Sequence, residues 1–195
     1  MQFLGPVLEY TLGQKGQTAT VIGATSGDTG PAAIEGLKNS ENINVFMLYP
    51  HNRTSAIQRM QMTTSGGQNI FPIAVEGTFD DCQDIVKELF SDLAFKEQVN
   101  ATSVNSISWA RLLPQMVYYF FAWSRIRDMI TGKDLTFSVP TGNYGDAFAG
   151  YLAMQCGLPI QSILVATNSN DILDRFFKDN DYSVQKVVPT RSPSM

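Results

Sequence analysis

Residues 20–37 read TVIGATSGDTGPAAIEGL, and this stretch decides the fold. An apolar run at 20–23 leads into a loop of glycine, serine and threonine, and a helix is predicted to begin near Pro31. A strand, a loop and a helix in this order form one βα unit. The stretch therefore predicts the first unit of an α/β fold.

The same alternation continues along the chain. We expect strands at 43–49, 69–75, 135–139 and 163–167, and helices at 55–63, 79–95, 107–129 and 147–155. Nearly continuous apolar strands between helices are typical of parallel sheets that helices cover on both faces. The predicted fold class is therefore α/β, with parallel sheets flanked by helices and a kink at Pro114 in the longest helix.

The long helix joins two αβ units. We expect a small αβ domain at 1–104, incomplete at its N-terminus, and the start of a large αβ domain at 105–195, incomplete at its C-terminus. Residues 1–12 read as a helix without a capping residue or first turn before it, and 189–195 end in a loop-like sequence. The expectation is a fragment cut at both ends.

The composition excludes several classes of function. The chain has 195 residues, of which 44% are hydrophobic and 16% charged, as in soluble globular proteins. Its formal charge is -4, with lysine and arginine dispersed, so neither nucleic acid nor an acidic membrane surface is an expected partner. Because the sequence lacks a signal peptide and an apolar run of about 20 residues, we expect a cytoplasmic protein.

Cysteine and histidine are too few for a metal site. Cys82, Cys156 and His51 show no ligand spacing, so neither a disulfide framework nor a zinc site is expected. We expect both thiols to be buried.

Two glycine-rich loops are candidate anion sites. Residues 23–30 (GATSGDTG) and 140–146 (PTGNYGD) each follow a predicted strand and precede a helix, where backbone N–H groups and the helix dipole suit a carboxylate or phosphate. Asn143 tolerates the unusual backbone angles of such a loop. The alternative for the first loop is an ordinary turn in which Thr29 or Asp28 caps the helix. Neither loop has the phosphate-loop or dinucleotide pattern, which disfavours nucleotide hydrolysis and NAD binding.

A third candidate lies at 105–115, which read NSISWARLLPQ. If a helix begins near Ser106, Asn105 lies at its N-terminus and Arg111 less than two turns on, so that the amide and the guanidinium converge on one phosphate. The alternative is that Arg111 is a surface charge and Trp109 a core residue.

These three segments, in this order, together with 189–195 (PTRSPSM), resemble the threonine synthase family, a branch of the fold-type II pyridoxal-phosphate enzymes. The resemblance covers nearly the whole chain and implies a tryptophan synthase β-like architecture. It also implies pyridoxal 5'-phosphate as cofactor and a carbon-oxygen lyase that acts on a phosphate ester. The family converts O-phospho-L-homoserine and water to L-threonine and phosphate, with the cofactor as electron sink.

The resemblance further implies a role for each site residue. The cofactor-binding residues would be Thr141, Gly142, Asn143, Tyr144, Gly145 and Asp146, with Asp28 beside the cofactor ring. The substrate-binding residues would be Thr25, Ser26, Gly27 and Thr29 at the carboxylate and Asn105, Ser106 and Arg111 at the phosphate. Many fold-type II relatives have asparagine where this chain has Asp28, and an aspartate would need a proton to donate to the ring oxygen.

The Schiff-base lysine of the family lies in a Phe-Lys-Asp segment just before the helix that 1–12 resembles, and it is absent here. We expect each of the seven lysines on a helix surface or in a polar segment, where nothing lowers its pKa: 15, 38, 87, 96, 133, 178 and 186. No catalytic residue is therefore expected in this chain, which should bind the cofactor weakly or not at all and be inactive alone.

Two other functions stay open. Another fold-type II lyase, such as a dehydratase, would need no phosphate clamp at Arg111. Alternatively, the chain is a non-catalytic module that binds an anion or a partner protein. If the chain is truncated, we expect the apolar surface that the missing segments would cover to cause poor solubility or to be buried in an oligomer.

Overall fold

The computed structural model describes residues 1–104, 108–188 and 190–192. The chain folds into two compact units, Met1–Asn105 and Ser106–Met195. Both units alternate strands and helices, and every strand pair is parallel. The interpretation of the units as an incomplete small domain and the start of a large one stays a prediction.

The first unit contains a four-stranded sheet in the order β3-β2-β1-β4. Its strands are β1 (Ala19–Ala24), β2 (Ile43–Pro50), β3 (Ile70–Val75) and β4 (Ala101–Thr102). Its helices are α1 (Leu4–Lys15), α2 (Thr29–Leu37), α3 (Ala56–Thr63), α4 (Phe79–Ser91) and α5 (Leu93–Gln98). The sheet is thus built from crossover connections, as the sequence predicted.

Both faces of this sheet are covered. Val21 and Val45 on the central strands are fully buried in one core with Ile34 of α2. On the other face, Ile22 and Leu48 pack with Cys82 of α4. Because side chains alternate between the two faces of a strand, a strand covered on both sides reads as an apolar run.

Helices α1 and α2 touch backbone to backbone. A Cβ atom added to Gly5 would lie 1.9 Å from the carbonyl oxygen of Gly36, far inside a van der Waals contact. Gly5 is buried at this crossing. The crossing therefore accepts only glycine at residue 5.

The second unit contains a two-stranded sheet and three helices. Its elements are α6 (Trp109–Ile126), β5 (Thr136–Pro140), α7 (Gly145–Gln155), β6 (Ser162–Ala166) and α8 (Ile172–Asp179). Strands β5 and β6 pair in parallel, with Phe137 opposite Ile163. Helix α6 continues through Pro114 and packs Leu112 and Tyr119 into a core with α7.

One side of α6 is exposed. Trp109, Leu113, Val117 and Phe121 follow one another at intervals of four, and more than half of each side chain's surface is exposed. These four residues form an apolar stripe. Trp109 is therefore a surface residue and not part of the core.

The structure corrects several local predictions. The helix expected at 79–95 breaks at Asp92, whose carboxylate accepts from the Phe95 amide at 3.0 Å and caps α5. Helix α8 and the short strand β4 were not predicted. Cys82 is buried as expected, whereas Cys156 is exposed because it lies at the C-cap of α7.

No helix in the described part of the chain is long and apolar enough to cross a membrane. The described residues also contain no group of three histidine, cysteine, aspartate or glutamate side chains placed to hold a metal ion.

Candidate functional site

The two glycine-rich loops follow the carboxyl ends of parallel strands. Residues 25–28, the Thr25 loop, join β1 to α2 in the first unit, and residues 141–144, the Thr141 loop, join β5 to α7 in the second. In open α/β sheets, ligands bind outside the carboxyl ends of the strands. Each loop therefore occupies a position suited to binding.

The Thr25 loop is organised by its threonine. Thr25 is 1% exposed, and its Oγ1 accepts from the Gly27 amide at 3.1 Å and from the Gly30 amide at 2.9 Å. The Thr25 amide donates to the Leu48 carbonyl at 2.9 Å, which fixes the loop to β2. The hydroxyl oxygen therefore shapes the loop, and a contact between Thr25 and a substrate carboxylate stays a prediction.

Other groups of the loop face outward. Ser26 and Asp28 are exposed, and Thr29 is half-buried at the start of α2. Within the described residues, the Ser26 and Asp28 amides donate no hydrogen bond. These amides and the Ser26 hydroxyl lie at the positive end of a helix, where an anion is stabilised.

Asp28 is held by a residue that sequence reasoning missed. Gln58 of α3 is 5% exposed, and its Nε2 donates to Asp28 Oδ1 at 2.6 Å. The signal in the sequence was the Ser-x-x-Gln pattern from Ser55 to Gln58, which forms a capping box at the start of α3. An open groove of about 570 Å³ beside Asp28 is lined by Pro31, Ala32, Glu35, Gln61, Thr64 and Ser65.

In the Thr141 loop, as in the Thr25 loop, the threonine hydroxyl oxygen accepts from a backbone amide of the loop. Thr141 is buried, and its Oγ1 accepts from the Tyr144 amide at 2.9 Å. Tyr144 has a φ of 61°, so the left-handed residue of this loop is Tyr144 and not Asn143. A left-handed non-glycine residue costs on the order of 1 kcal/mol, and such strain is concentrated at functional sites.

This loop leaves its amides available. Within the described residues, the amides of Gly142, Asn143, Gly145 and Asp146 donate no hydrogen bond. They precede or begin α7, whose dipole places a positive partial charge at this end. The loop has the properties of a phosphate-binding nest.

Asp146 adds an unsatisfied acceptor to this nest. Its Oδ1 is buried and has no hydrogen-bond partner among the described residues. Burial raises the pKa of Asp146, and its Oδ1 is a buried polar atom that a bound ligand would satisfy. The residues of the Thr141 loop therefore fit the phosphate of a cofactor.

Tyr119 of α6 forms a hydrogen bond to the backbone of Asp146, beside the nest. Its Oη donates to the Asp146 carbonyl at 2.9 Å, and the side chain is almost fully buried. Burial, followed by the charge of Asp146, raises the pKa of Tyr119, so the phenol stays a donor at neutral pH. A Cβ on Gly150 would lie 2.6 Å from the Tyr119 ring, so glycine at 150 admits the ring.

Arg111 lies in the first turn of α6, since this helix begins at Trp109. The side chain is half-buried, and this burial lowers the pKa of Arg111. Asn105 and Ser106, the other expected phosphate ligands, lie outside the described residues. The clamp therefore stays a prediction for all three residues.

None of the seven lysines is buried, as expected. Lys87 lines a cavity of about 250 Å³ in the first unit, but its Nζ donates to Asp84 at 2.8 Å. This hydrogen bond raises the pKa of Lys87, and a lysine that attacks a carbonyl group needs the opposite shift.

The chain is similar in sequence to known pyridoxal-phosphate-dependent enzymes. A family model described as pyridoxal-phosphate dependent enzyme matches residues 7–195. Over 195 residues the chain is 50% identical to a threonine synthase of Pseudomonas aeruginosa, and it covers 100% of its own length and 41% of that protein. Similarity to threonine synthases is thus confirmed in sequence.

Solved structures give the same result. The structure of pyridoxal-phosphate-bound threonine synthase from Brucella melitensis matches with a TM-score of 0.88 at 47% identity, covering 100% of this chain and 41% of that chain. Yeast threonine synthase matches with a TM-score of 0.88 at 48% identity, covering 100% of this chain and 40% of that chain. This chain therefore spans about 41% of the length of its bacterial relatives.

These matches confirm the fold-type II architecture predicted from the sequence. Since the family model extends over nearly the whole chain, the chain belongs to the pyridoxal-phosphate-dependent enzyme family.

Proposed function

We propose that the protein that carries this chain is a threonine synthase, which converts O-phospho-L-homoserine and water to L-threonine and phosphate. The observation that carries the proposal is the nest of unbonded amides in the Thr141 loop, with Asp146 beside it. The names of the relatives at 47–50% identity support the choice among the enzymes of this family.

The Thr141 loop is proposed to bind the phosphate of pyridoxal 5'-phosphate. Gly142, Asn143 and Gly145 would donate backbone N–H bonds, and Asp146 would lie alongside the phosphate. When bound, the cofactor supplies an electron sink for a carbanion on the substrate. Thr141 holds the Tyr144 amide and so keeps the loop open toward the phosphate.

The Thr25 loop is proposed to bind the substrate carboxylate. Ser26 and Thr29 supply hydroxyls near the positive end of α2, Gly27 brings the backbone close, and Thr25 fixes the loop. Asp28 is proposed to lie beside the cofactor ring. The function of this loop is to orient the substrate.

Asn105, Ser106 and Arg111 are proposed to bind the phosphate of the substrate. A half-buried guanidinium is a strong phosphate ligand, because its hydrogen bonds are charge-assisted and only partly screened by water. Release of phosphate as the leaving group is the feature that separates a threonine synthase from a dehydratase.

Replacement of Arg111 tests this clamp. In the gene product that contains this chain, Arg111→Ala is expected to lower kcat/KM for O-phospho-L-homoserine about 100-fold, the effect of losing two hydrogen bonds to a charged group. Arg125→Ala is the matched control, since Arg125 lies on the same helix with an exposed side chain whose guanidinium lies over the Phe121 ring. Unchanged kinetics in Arg111→Ala would refute the clamp assignment, whereas a gene product that does not turn over O-phospho-L-homoserine would favour a dehydratase-like lyase.

The lysines give a second test. Pyridoxal phosphate added to the 195-residue chain and reduced with borohydride is expected to leave no lysine modified stoichiometrically, because none of the seven lies in a buried pocket. Mass spectrometry of tryptic peptides measures this, with the threonine synthase of Pseudomonas aeruginosa as the positive control. One lysine modified in every molecule would show that this chain has its own cofactor lysine. This result would refute the expectation that the Schiff-base lysine is absent from the chain.

Two further points stay predictions. The apolar stripe of α6 is the candidate surface for burial in an oligomer, and its four side chains carry that proposal. The cytoplasmic location inferred from the sequence is also untested.

A further inference from the structure

Gln58 is a buried polar residue whose side-chain oxygen and nitrogen both form hydrogen bonds. It is 5% exposed, and the position lies 30 residues beyond Asp28 in the sequence. A buried amide is stable in a fold only when its donors and acceptor find partners. Its partners therefore indicate what it does.

The orientation of this amide is fixed by α3. Gln58 Oε1 accepts from the Ser55 amide at 3.2 Å, and Ser55 Oγ accepts from the Gln58 amide at 3.2 Å. With Oε1 used in this capping box, Nε2 faces Asp28 Oδ1 at 2.6 Å. The reverse orientation would place two acceptor oxygens together, so Gln58 is the donor and Asp28 the acceptor.

Gln58 also lies against the neighbouring residue of the loop. A Cβ on Gly27 would be 2.4 Å from Gln58 Nε2, so the side chain covers the Gly27 backbone. One turn further along α3, Met62 Sδ would be 2.8 Å from a Cβ on Gly30. Helix α3 thus packs against both the Thr25 loop and the first turn of α2.

We propose that Gln58 is a positioning residue that sets which atom residue 28 presents to its ligand. Because Oδ1 of Asp28 accepts from Gln58, Oδ2 is left as the free acceptor, which suits a protonated ring oxygen that donates to it. Gln58 acts through Asp28 and Gly27 and does not itself touch substrate or cofactor. The inference rests on the proposed role of Asp28 beside the cofactor ring.

The proposal makes a specific prediction for paired substitutions. Gln58→Glu keeps the size and the capping box but sets an acceptor against Asp28. Asp28→Asn keeps the bond from Gln58 but offers the ligand a donor in place of an acceptor. In the double variant, the new amide donates to the new carboxylate, and an acceptor again faces the ligand.

The experiment compares these variants in the pyridoxal-phosphate-loaded gene product. Each single variant is expected to lose about 10- to 100-fold in kcat/KM, the effect of one hydrogen bond to a charged group. The double variant is expected to recover at least about tenfold over the weaker single variant, and its visible cofactor absorbance is expected to return toward that of the parent. Thr63→Glu adds the same charge to α3 at an exposed residue outside the groove beside Asp28, and it is expected to leave both readouts unchanged.

A double variant no better than the weaker single variant would overturn the proposal, as would full activity in Gln58→Glu. A readout independent of the reaction is amide hydrogen exchange at Gly27, whose buried amide donates to Thr25 Oγ1, in the 195-residue chain. Gln58→Met, which keeps the volume over Gly27, is expected to speed this exchange about tenfold. If exchange accelerates but phosphohomoserine is not a substrate, the positioning role stands and the proposed function fails. Unchanged exchange overturns the positioning role, even if Gln58→Glu does not fold.

Discussion

Gly5→Ala is expected to lower the free energy of unfolding of the first unit by about 3 kcal/mol, the upper part of the usual range for an overpacked interior. The new methyl group would meet the Gly36 carbonyl oxygen at 1.9 Å. A carbonyl of α2 cannot rotate away as a side chain does, because the helical backbone fixes the plane of its peptide group. Helices α1 and α2 would have to separate, and the core around Ile34 would lose contacts.

Urea unfolding followed by circular dichroism measures this effect, and Gly13→Ala is its matched control. Gly13 lies in the same helix, and a Cβ there meets only Asn42 Nδ2 at 3.8 Å, an ordinary contact. Alanine there is expected to raise the free energy of unfolding by about 0.5–1 kcal/mol through helix propensity. Equal effects of the two substitutions would show that the backbone contact does not limit residue 5.

Thr25→Val is expected to lower the free energy of unfolding by about 2–4 kcal/mol, since two amides would lose one acceptor. Valine has nearly the shape of threonine, so the packing at this 1% exposed position is kept. The Gly27 and Gly30 amides would then be buried without a partner. Threonine formation by the gene product is also expected to fall, because the loop would lose the shape proposed to bind the carboxylate.

Thr25→Ser separates the hydroxyl from the methyl group. Serine restores the acceptor and removes one buried methyl group, so a loss of only about 1 kcal/mol is expected. Thermal unfolding of the parent and both variants gives the order of stability. A serine variant as unstable as the valine variant would mean that packing of the methyl group, and not the hydroxyl, holds the loop.

The order of strands and helices was predictable because parallel strands are buried on both faces. Val21 and Val45 belong to such strands, and their apolar runs stand out from the helices between them. The break at Asp92 was missed because apolar residues keep helical spacing across it, although aspartate before Leu93 is a typical N-cap. Cys156 was misjudged because its exposure depends on where α7 ends.

The positions of the candidate loops were predictable, but their internal bonding was not. Thr25 and Thr141 were expected to face ligands, whereas both hydroxyl oxygens accept hydrogen bonds from backbone amides of the same loop or of the helix that follows it. That arrangement depends on backbone paths that local sequence does not determine. Gln58 reaches Asp28 across 30 residues, and only the assembled helices bring them together.

The pairing of β1 with β4 has a consequence for synthesis on the ribosome. Thr20 of β1 pairs with Ala101, which is made 81 residues later. At about 5–20 residues per second, the ribosome needs roughly 4 to 16 seconds to add that stretch. During this time one edge of β1 lacks its partner strand and offers unpaired N–H and C=O groups to other nascent chains. Until β4 emerges, this edge of β1 therefore remains open to pairing with the wrong strand.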